Sequence, residues 1–207
     1  MHWGQKYEDV SIKWYENEYK TKISEFGCIP HSSYPFIAAS PDGIICDETS
    51  ELFGRMLEIK NIVNREITGI PKKEYWIQMQ LQMGVCKLNE CDFLETQFIE
   101  YDSFSAFDQD SLDGNRLKSA KNEQKGMFFM INHNQSPKYI YPPINLTWNQ
   151  LEKWEEEQIS KYQSTWVRNI YWRLEEISCI LVLRNKLWFK SVIKDIEKFW
   201  NIIEYER

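Results

Sequence analysis

Ala39-Ser40-Pro41-Asp42-Gly43 and Leu57-Glu58-Ile59-Lys60 decide how this chain is read, with Glu58 sixteen residues after Asp42. Pro-Asp-Gly is a tight-turn sequence: proline presets φ, aspartate bonds nearby backbone and glycine tolerates unusual geometry. Met56, Leu57, Ile59 and Ile62 surround Glu58 and Lys60 with apolar residues, so 55–62 reads as a partly buried strand. Residues i and i+2 of a strand share a face. Glu58 and Lys60 therefore stand side by side, with Ile59 turned into the core. Singly, each piece has an ordinary explanation: Glu-x-Lys usually marks a solvated strand face, and Pro-Asp-Gly a plain turn. The apolar surroundings change the balance, because a buried charge must be paired or bound to metal. Two carboxylates on neighbouring strands supply the oxygen ligands that hard divalent cations prefer. Such a cation can deprotonate water and neutralise charge at a phosphoryl centre, and a lysine beside it can position that water. The pattern predicts a metal-dependent phosphodiesterase.

Working outward, 207 residues suffice for one sizeable α/β domain. Nine Trp and an aromatic share of 15% argue against disorder over most of the length. No apolar run approaches a membrane span. Met1-His2-Trp3-Gly4-Gln5-Lys6 lacks a signal-peptide core, so the expectation is an intracellular, non-secreted protein without membrane partners. The five cysteines form no C-x-x-C pair and read as reduced core thiols. His2, His31 and His133 lack ligand spacing, which disfavours a histidine zinc site. A net charge of −6 argues against a general nucleic-acid coat protein. It does not exclude an enzyme whose cleft is locally positive.

Trp3, Tyr7, Val10 and Trp14 recur at helical spacing and predict a helix over 4–19. Glu8 lies beside that stripe, and periodicity alone makes it a rim carboxylate. Strands are expected over 22–29, 36–39, 44–46 and 55–62, with a polar loop at 47–51. After Gly69-Ile70-Pro71, residues 72–86 predict a helix with Trp76, Met79, Met83 and Cys86 on one face. Gln78 and Gln82 share a second face, and Gln80 stands on a third. Residues 90–101 read as a strand. Residues 102–125 look like a polar surface insertion, whose basic stretch (Arg116, Lys118, Lys121, Lys125) reads as a solvated face. A hairpin over 127–141, a helix opened by a capping box at Thr147-Trp148-Asn149-Gln150, a strand over 170–183 and an amphipathic helix over 187–205 complete the chain. One domain is expected: a core to about residue 101, the insertion 102–125, and a C-terminal part 126–207.

Four ordered stretches, Trp3-Gly4-Gln5-Lys6-Tyr7-Glu8, Ala39-Ser40-Pro41-Asp42-Gly43, Leu57-Glu58-Ile59-Lys60 and Tyr75-Trp76-Ile77-Gln78-Met79-Gln80, together resemble the YqaJ-like viral recombinase family, which includes phage lambda exonuclease. The likeness covers about the first hundred residues. The family belongs to the PD-(D/E)-x-K nucleases, which implies an α/β (α+β), restriction-endonuclease-like fold: a mixed central β-sheet flanked by helices. By resemblance, Asp42, Glu58 and the Ile59 carbonyl bind Mg2+, with Mn2+ as the substitute, and Glu8 completes the metal site. Lys60 orients the attacking water. Gln78 and Ser40 lie near the terminal phosphate, and Gln80 is a second substrate-side glutamine of more structural character.

The resemblance further implies a 5′→3′ exonuclease on duplex DNA ends in viral recombination or replication, a ring-shaped trimer, and a single-strand annealing protein as partner. Two features depart from the family. The sequence starts at the Trp-Gly motif, without the preceding segment that supplies an arginine to the 5′-phosphate pocket, so weaker selection of 5′-phosphate ends is expected. Asn61 follows Lys60 where Cys-Pro is common. Two other functions remain open at this level: a structure-specific endonuclease or resolvase on the same fold, and a catalytically inactive DNA-binding recombination scaffold.

Overall fold

The computed structural model describes residues 2–143 and 145–206. The elements in chain order are α1 (His2–Tyr19), β1 (Ile29–Pro30), β2 (Ala38–Ala39), β3 (Gly43–Ile44), β4 (Met56–Ile62), α2 (Lys73–Cys86), β5 (Glu90–Glu100), α3 (Phe104–Gln109), β6 (Lys125–His133), β7 (Ser136–Ile140), α4 (Trp148–Tyr162), β8 (Trp166–Leu183) and α5 (Lys186–Tyr205). Six strands form one sheet in the order β3-β4-β5-β8-β6-β7, and β1 and β2 form a separate two-stranded ribbon. β3 runs antiparallel to β4, and β6 antiparallel to both β7 and β8. β4 and β5 run parallel: Arg55 bonds Glu90 just before β4, and Asn61 bonds Thr96 further along it. The sheet is therefore mixed, as the resemblance implied.

The residues group into two compact units. One comprises the residues up to Asn17, Asn61–Arg65 and Thr96–Ile177; the other comprises Glu18–Lys60, Glu66–Glu95 and the residues from Ser178 on. In the first, Tyr7 of α1 is fully buried and stacks on Phe98 of β5 at 4.4 Å, with Phe128, Ile170 and Trp172 closing the cluster. A second cluster there joins Met127, Phe129 and Leu151, and Trp154 of α4 stacks on Phe129. The capping box at Thr147 and Gln150 is formed, which fixes where α4 begins.

The second unit carries Asp42, Glu58 and Lys60. Met56, Leu57, Glu58 and Ile59 are all buried, so β4 is covered on both faces. Met56, Cys91, Phe93 and Val182 pack against Met79 and Met83 of α2. α2 ends at Lys87, whose left-handed φ of 58° turns its N–H back to the Met83 carbonyl. Gly84 lets α2 meet α5, because a Cβ there would stand 2.3 Å from the Phe189 ring.

Several expectations need correction. Residues 22–29 do not form a strand. Ser24 makes an isolated bridge to Ile44, and only Ile29–Pro30 pairs, with Ala38–Ala39. The region 102–125 is not simply a polar insertion: Ser103 caps α3, whose Phe107 is fully buried. Lys125 is not a solvated cation. It is 2% exposed, and its ammonium donates to the Phe107 and Asp110 carbonyls and Ser111 Oγ. Cys28 and Cys46 are exposed rather than core thiols. The stripe predicted for α5 is only partly covered, since Phe189 and Ile193 are buried while Phe199 is 65% exposed. No helix among the described residues is long and apolar enough to cross a membrane.

Candidate active site

The β3–β4 register pairs Gly43 with Leu57 and Ile44 with Met56. Carried one residue further, it sets Asp42 opposite Glu58, and directly opposed residues of an antiparallel pair project to the same face. Asp42 Oδ2 accepts the Ile59 N–H at 2.6 Å, which holds the turn against the strand. Gly43 is required by close approach: a Cβ on it would meet Ile23 Cγ2 at 2.1 Å. Ile23 thus fixes the backbone immediately after Asp42.

Glu58 is fully buried, and three donors surround its carboxylate. Oε1 accepts from Lys60 Nζ and from Gln78 Nε2 at 2.7 Å. Oε2 accepts from Gln82 Nε2 at 2.8 Å. The cause is simple geometry. Alternation along β4 puts Lys60 beside Glu58, and four-residue spacing along α2 brings Gln78 and Gln82 onto the face that covers the strand. Lys60 is the cation that offsets the buried charge; its ammonium also lies 5.3 Å from the Tyr75 ring centroid. Cys91, on the neighbouring strand, reports the local potential. Burial raises its thiol pKa, and the charges of Glu58, Asp92 and Asp42 raise it further, so it stays protonated and inert.

The structure thus brings Asp42, Glu58, Lys60 and Gln78 into one cluster. Ser40 is exposed at its edge, and its carbonyl accepts from Gln82 Nε2 at 3.4 Å. Gln80 is not part of the cluster, and its surroundings have the structural character expected of it. It is fully buried, its Nε2 donates to the Leu183 carbonyl at 3.0 Å, and its Oε1 accepts the Asn185 N–H at 2.6 Å. It ties α2 to the end of β8 and the start of α5. Glu8 lies on α1 and belongs to the other compact unit. Asn61, at the departure from the family pattern, accepts at Oδ1 from Ser11 and Thr96 hydroxyls and donates to the Gly4 carbonyl. Sequence reasoning placed Gln82 on the Gln78 face without giving it a role. The signal available was that shared face.

Among the described residues, no group of three or more His, Cys, Asp and Glu side chains is gathered tightly enough to hold a metal ion by itself. The cluster nevertheless fits a hard cation of low protein coordination. The β3–β4 register, carried one residue on, sets its two carboxylates on the same side, and Gln82 Oε1 is buried with no hydrogen-bond partner among the described residues. Magnesium commonly keeps several waters and takes only one or two protein carboxylates.

The fold and this cluster define a class. The crystal structure of LHK-Exo in complex with dAMP superimposes with a TM-score of 0.53 at 19% identity, covering 100% of this chain and 69% of that one. The crystal structure of an alkaline exonuclease (LHK-Exo) from Laribacter hongkongensis gives 0.53 at 18%, covering 98% and 68%. The chain has the alkaline-exonuclease fold. Its residues 1–89 match the family model of the YqaJ-like viral recombinase domain. It is also 33% identical, over 242 aligned positions, to protein R354 of Acanthamoeba polyphaga mimivirus. That match takes in 100% of this chain but spans 44% of the viral protein's length.

Proposed function

We propose that this protein is a magnesium-dependent deoxyribonuclease that degrades duplex DNA 5′→3′ from its ends, in viral recombination or replication. The observation that carries the reading is Glu58: a fully buried carboxylate on a central strand, opposite Asp42 and beside Lys60. A buried acid costs several kcal/mol unless paired, and a purely structural position is filled more cheaply by an apolar residue. The family match over residues 1–89 and the alkaline-exonuclease fold support the same reading.

Asp42, Glu58 and the Ile59 carbonyl would hold the ion; Glu8 enters as a further ligand through the family resemblance alone. When bound, magnesium supplies a charge sink for the phosphoryl oxygens and lowers the pKa of water. The chain does the rest. Lys60, released from Glu58 Oε1, orients the attacking water in line with the scissile bond. The Gln78 amide, on the same oxygen, turns toward a phosphate oxygen and donates without adding a fixed charge. Ser40, exposed at the edge of the cluster, offers a hydroxyl to the same phosphate.

Duplexes labelled at the 5′ or 3′ end, in linear and circular form, test the reading. Loss of the 5′ label first, from linear DNA only, is expected. Cleavage of the circle points to an endonuclease, and binding without cleavage to a scaffold.

A further inference from the structure

Gln82 differs from its neighbour Gln80 in one respect. Gln80 is bonded at both ends of its amide, as a buried structural glutamine should be. Gln82 is 4% exposed, yet only its nitrogen is used; Oε1 has no partner among the described residues. The amide cannot turn around, because its Nε2 faces two acceptors, Glu58 Oε2 at 2.8 Å and the Ser40 carbonyl at 3.4 Å. One NH2 group therefore spans both segments that carry the carboxylates: β4 with Glu58, and the Ser40–Asp42 turn.

We infer that Gln82 is a positioning residue that reserves Glu58 Oε2, so that Glu58 presents one oxygen, Oε1, to a divalent cation. The inference rests on the metal-site reading above. The donors on Oε1 can leave. Lys60 is a partly exposed side chain on a flexible stem, and Gln78 is only half-buried. The donor on Oε2 is enclosed and anchored at a second point. A carboxylate restricted to one oxygen suits magnesium, which demands octahedral geometry at roughly 2.0–2.1 Å. Calcium accepts bidentate carboxylates at roughly 2.3–2.6 Å and gains from a carboxylate free to offer both oxygens. Gln82 thereby biases the site toward the smaller ion.

The test is calorimetric titration of Mg2+ and Ca2+ alone into the 207-residue chain, without DNA. Gln82→Met keeps the volume and removes the donor. It is expected to weaken Mg2+ binding by roughly 10–100-fold, in the range for lost supporting contacts, with Ca2+ binding held or strengthened. An unchanged ratio of Mg2+ to Ca2+ affinity in folded Gln82→Met overturns the inference. A crystal structure of the unaltered chain with Mn2+ gives a second answer that needs no variant. Glu58 bound through Oε1 alone, with Gln82 still on Oε2, is expected; both oxygens on the ion overturn it. Asp42→Asn separates the two levels. If it binds Mg2+ as tightly as the unaltered chain, the metal-site reading fails and takes this inference with it.

Discussion

Replacing Lys60 by alanine tests both the energetics and the chemistry of the cluster. Removing one partner of a buried ion pair costs about 3–5 kcal/mol. Here the cost is smaller for two reasons. The Lys60 side chain is 23% exposed, and Glu58 keeps two amide donors, at 2.7 and 2.8 Å. Hydrogen bonds to a charged group contribute about 1.5–3 kcal/mol, so most of the carboxylate's support survives. The expected loss is about 1–2 kcal/mol, or a fall in Tm of roughly 2–8 °C for a chain of this length. In a Glu58→Gln background no buried charge is stranded, and the same substitution should cost about 0.5 kcal/mol or less. Millimolar Mg2+ should restore more of the Tm of Lys60→Ala than it adds to the unaltered protein, since an ion replaces the missing cation. Cleavage should fall by about 100-fold, the cost of a misplaced reactant. Melting curves of the four proteins of the cycle and a nuclease assay on each decide it. Equal Tm losses in both backgrounds refute the buried-pair argument, and normal turnover in folded Lys60→Ala removes the lysine from the chemistry.

Gln80→Leu strands the Leu183 carbonyl and the Asn185 N–H, at about 1–3 kcal/mol for each buried group; thermal melting should show the loss, while cleavage per folded molecule is unchanged. Gly43→Ala drives a methyl into Ile23 at 2.1 Å. Overpacking of that kind costs about 1–3 kcal/mol, and because Asp42 adjoins it, activity should fall further than stability predicts. His31 should make the fold acid-sensitive. Burial, then Lys87 and Arg184, lower its pKa from 6.5, and its Nδ1 accepts the Ser33 and Tyr34 N–H groups as a neutral ring. A histidine with depressed folded pKa contributes stability above its unfolded pKa that is lost as pH falls through the folded one. Tm should therefore drop as pH goes below about 6.5, and His31→Asn should flatten that part of the curve.

The elements around the site were legible because their patterns are strong and local. β4 has a run of buried residues, α2 follows the Gly69-Ile70-Pro71 break, and both match their predicted bounds within one residue. The strand expected over 22–29 was not, because its pairings, Ser24 with Ile44 and Ile29 with Ala39, are isolated from one another and depend on partners elsewhere in the chain. Lys125 and the 102–125 segment around Phe107 were misread for a similar reason. The lysine is stabilised by two backbone carbonyls, which carry no sequence signature, and one phenylalanine is masked by polar neighbours. Within the site, Asp42, Glu58 and Lys60 came from strand alternation and turn chemistry. Gln82 escaped because a glutamine on a helix face gives no hint of which end of its amide will find a partner.

The most direct test of the central claim is turnover of a linear duplex by the purified chain with Mg2+, with EDTA, and with Glu58→Gln in Mg2+. The account predicts nucleotide release in the first case alone, with the variant folded and still able to bind DNA. Equal release by Glu58→Gln, or release undiminished by EDTA, contradicts it.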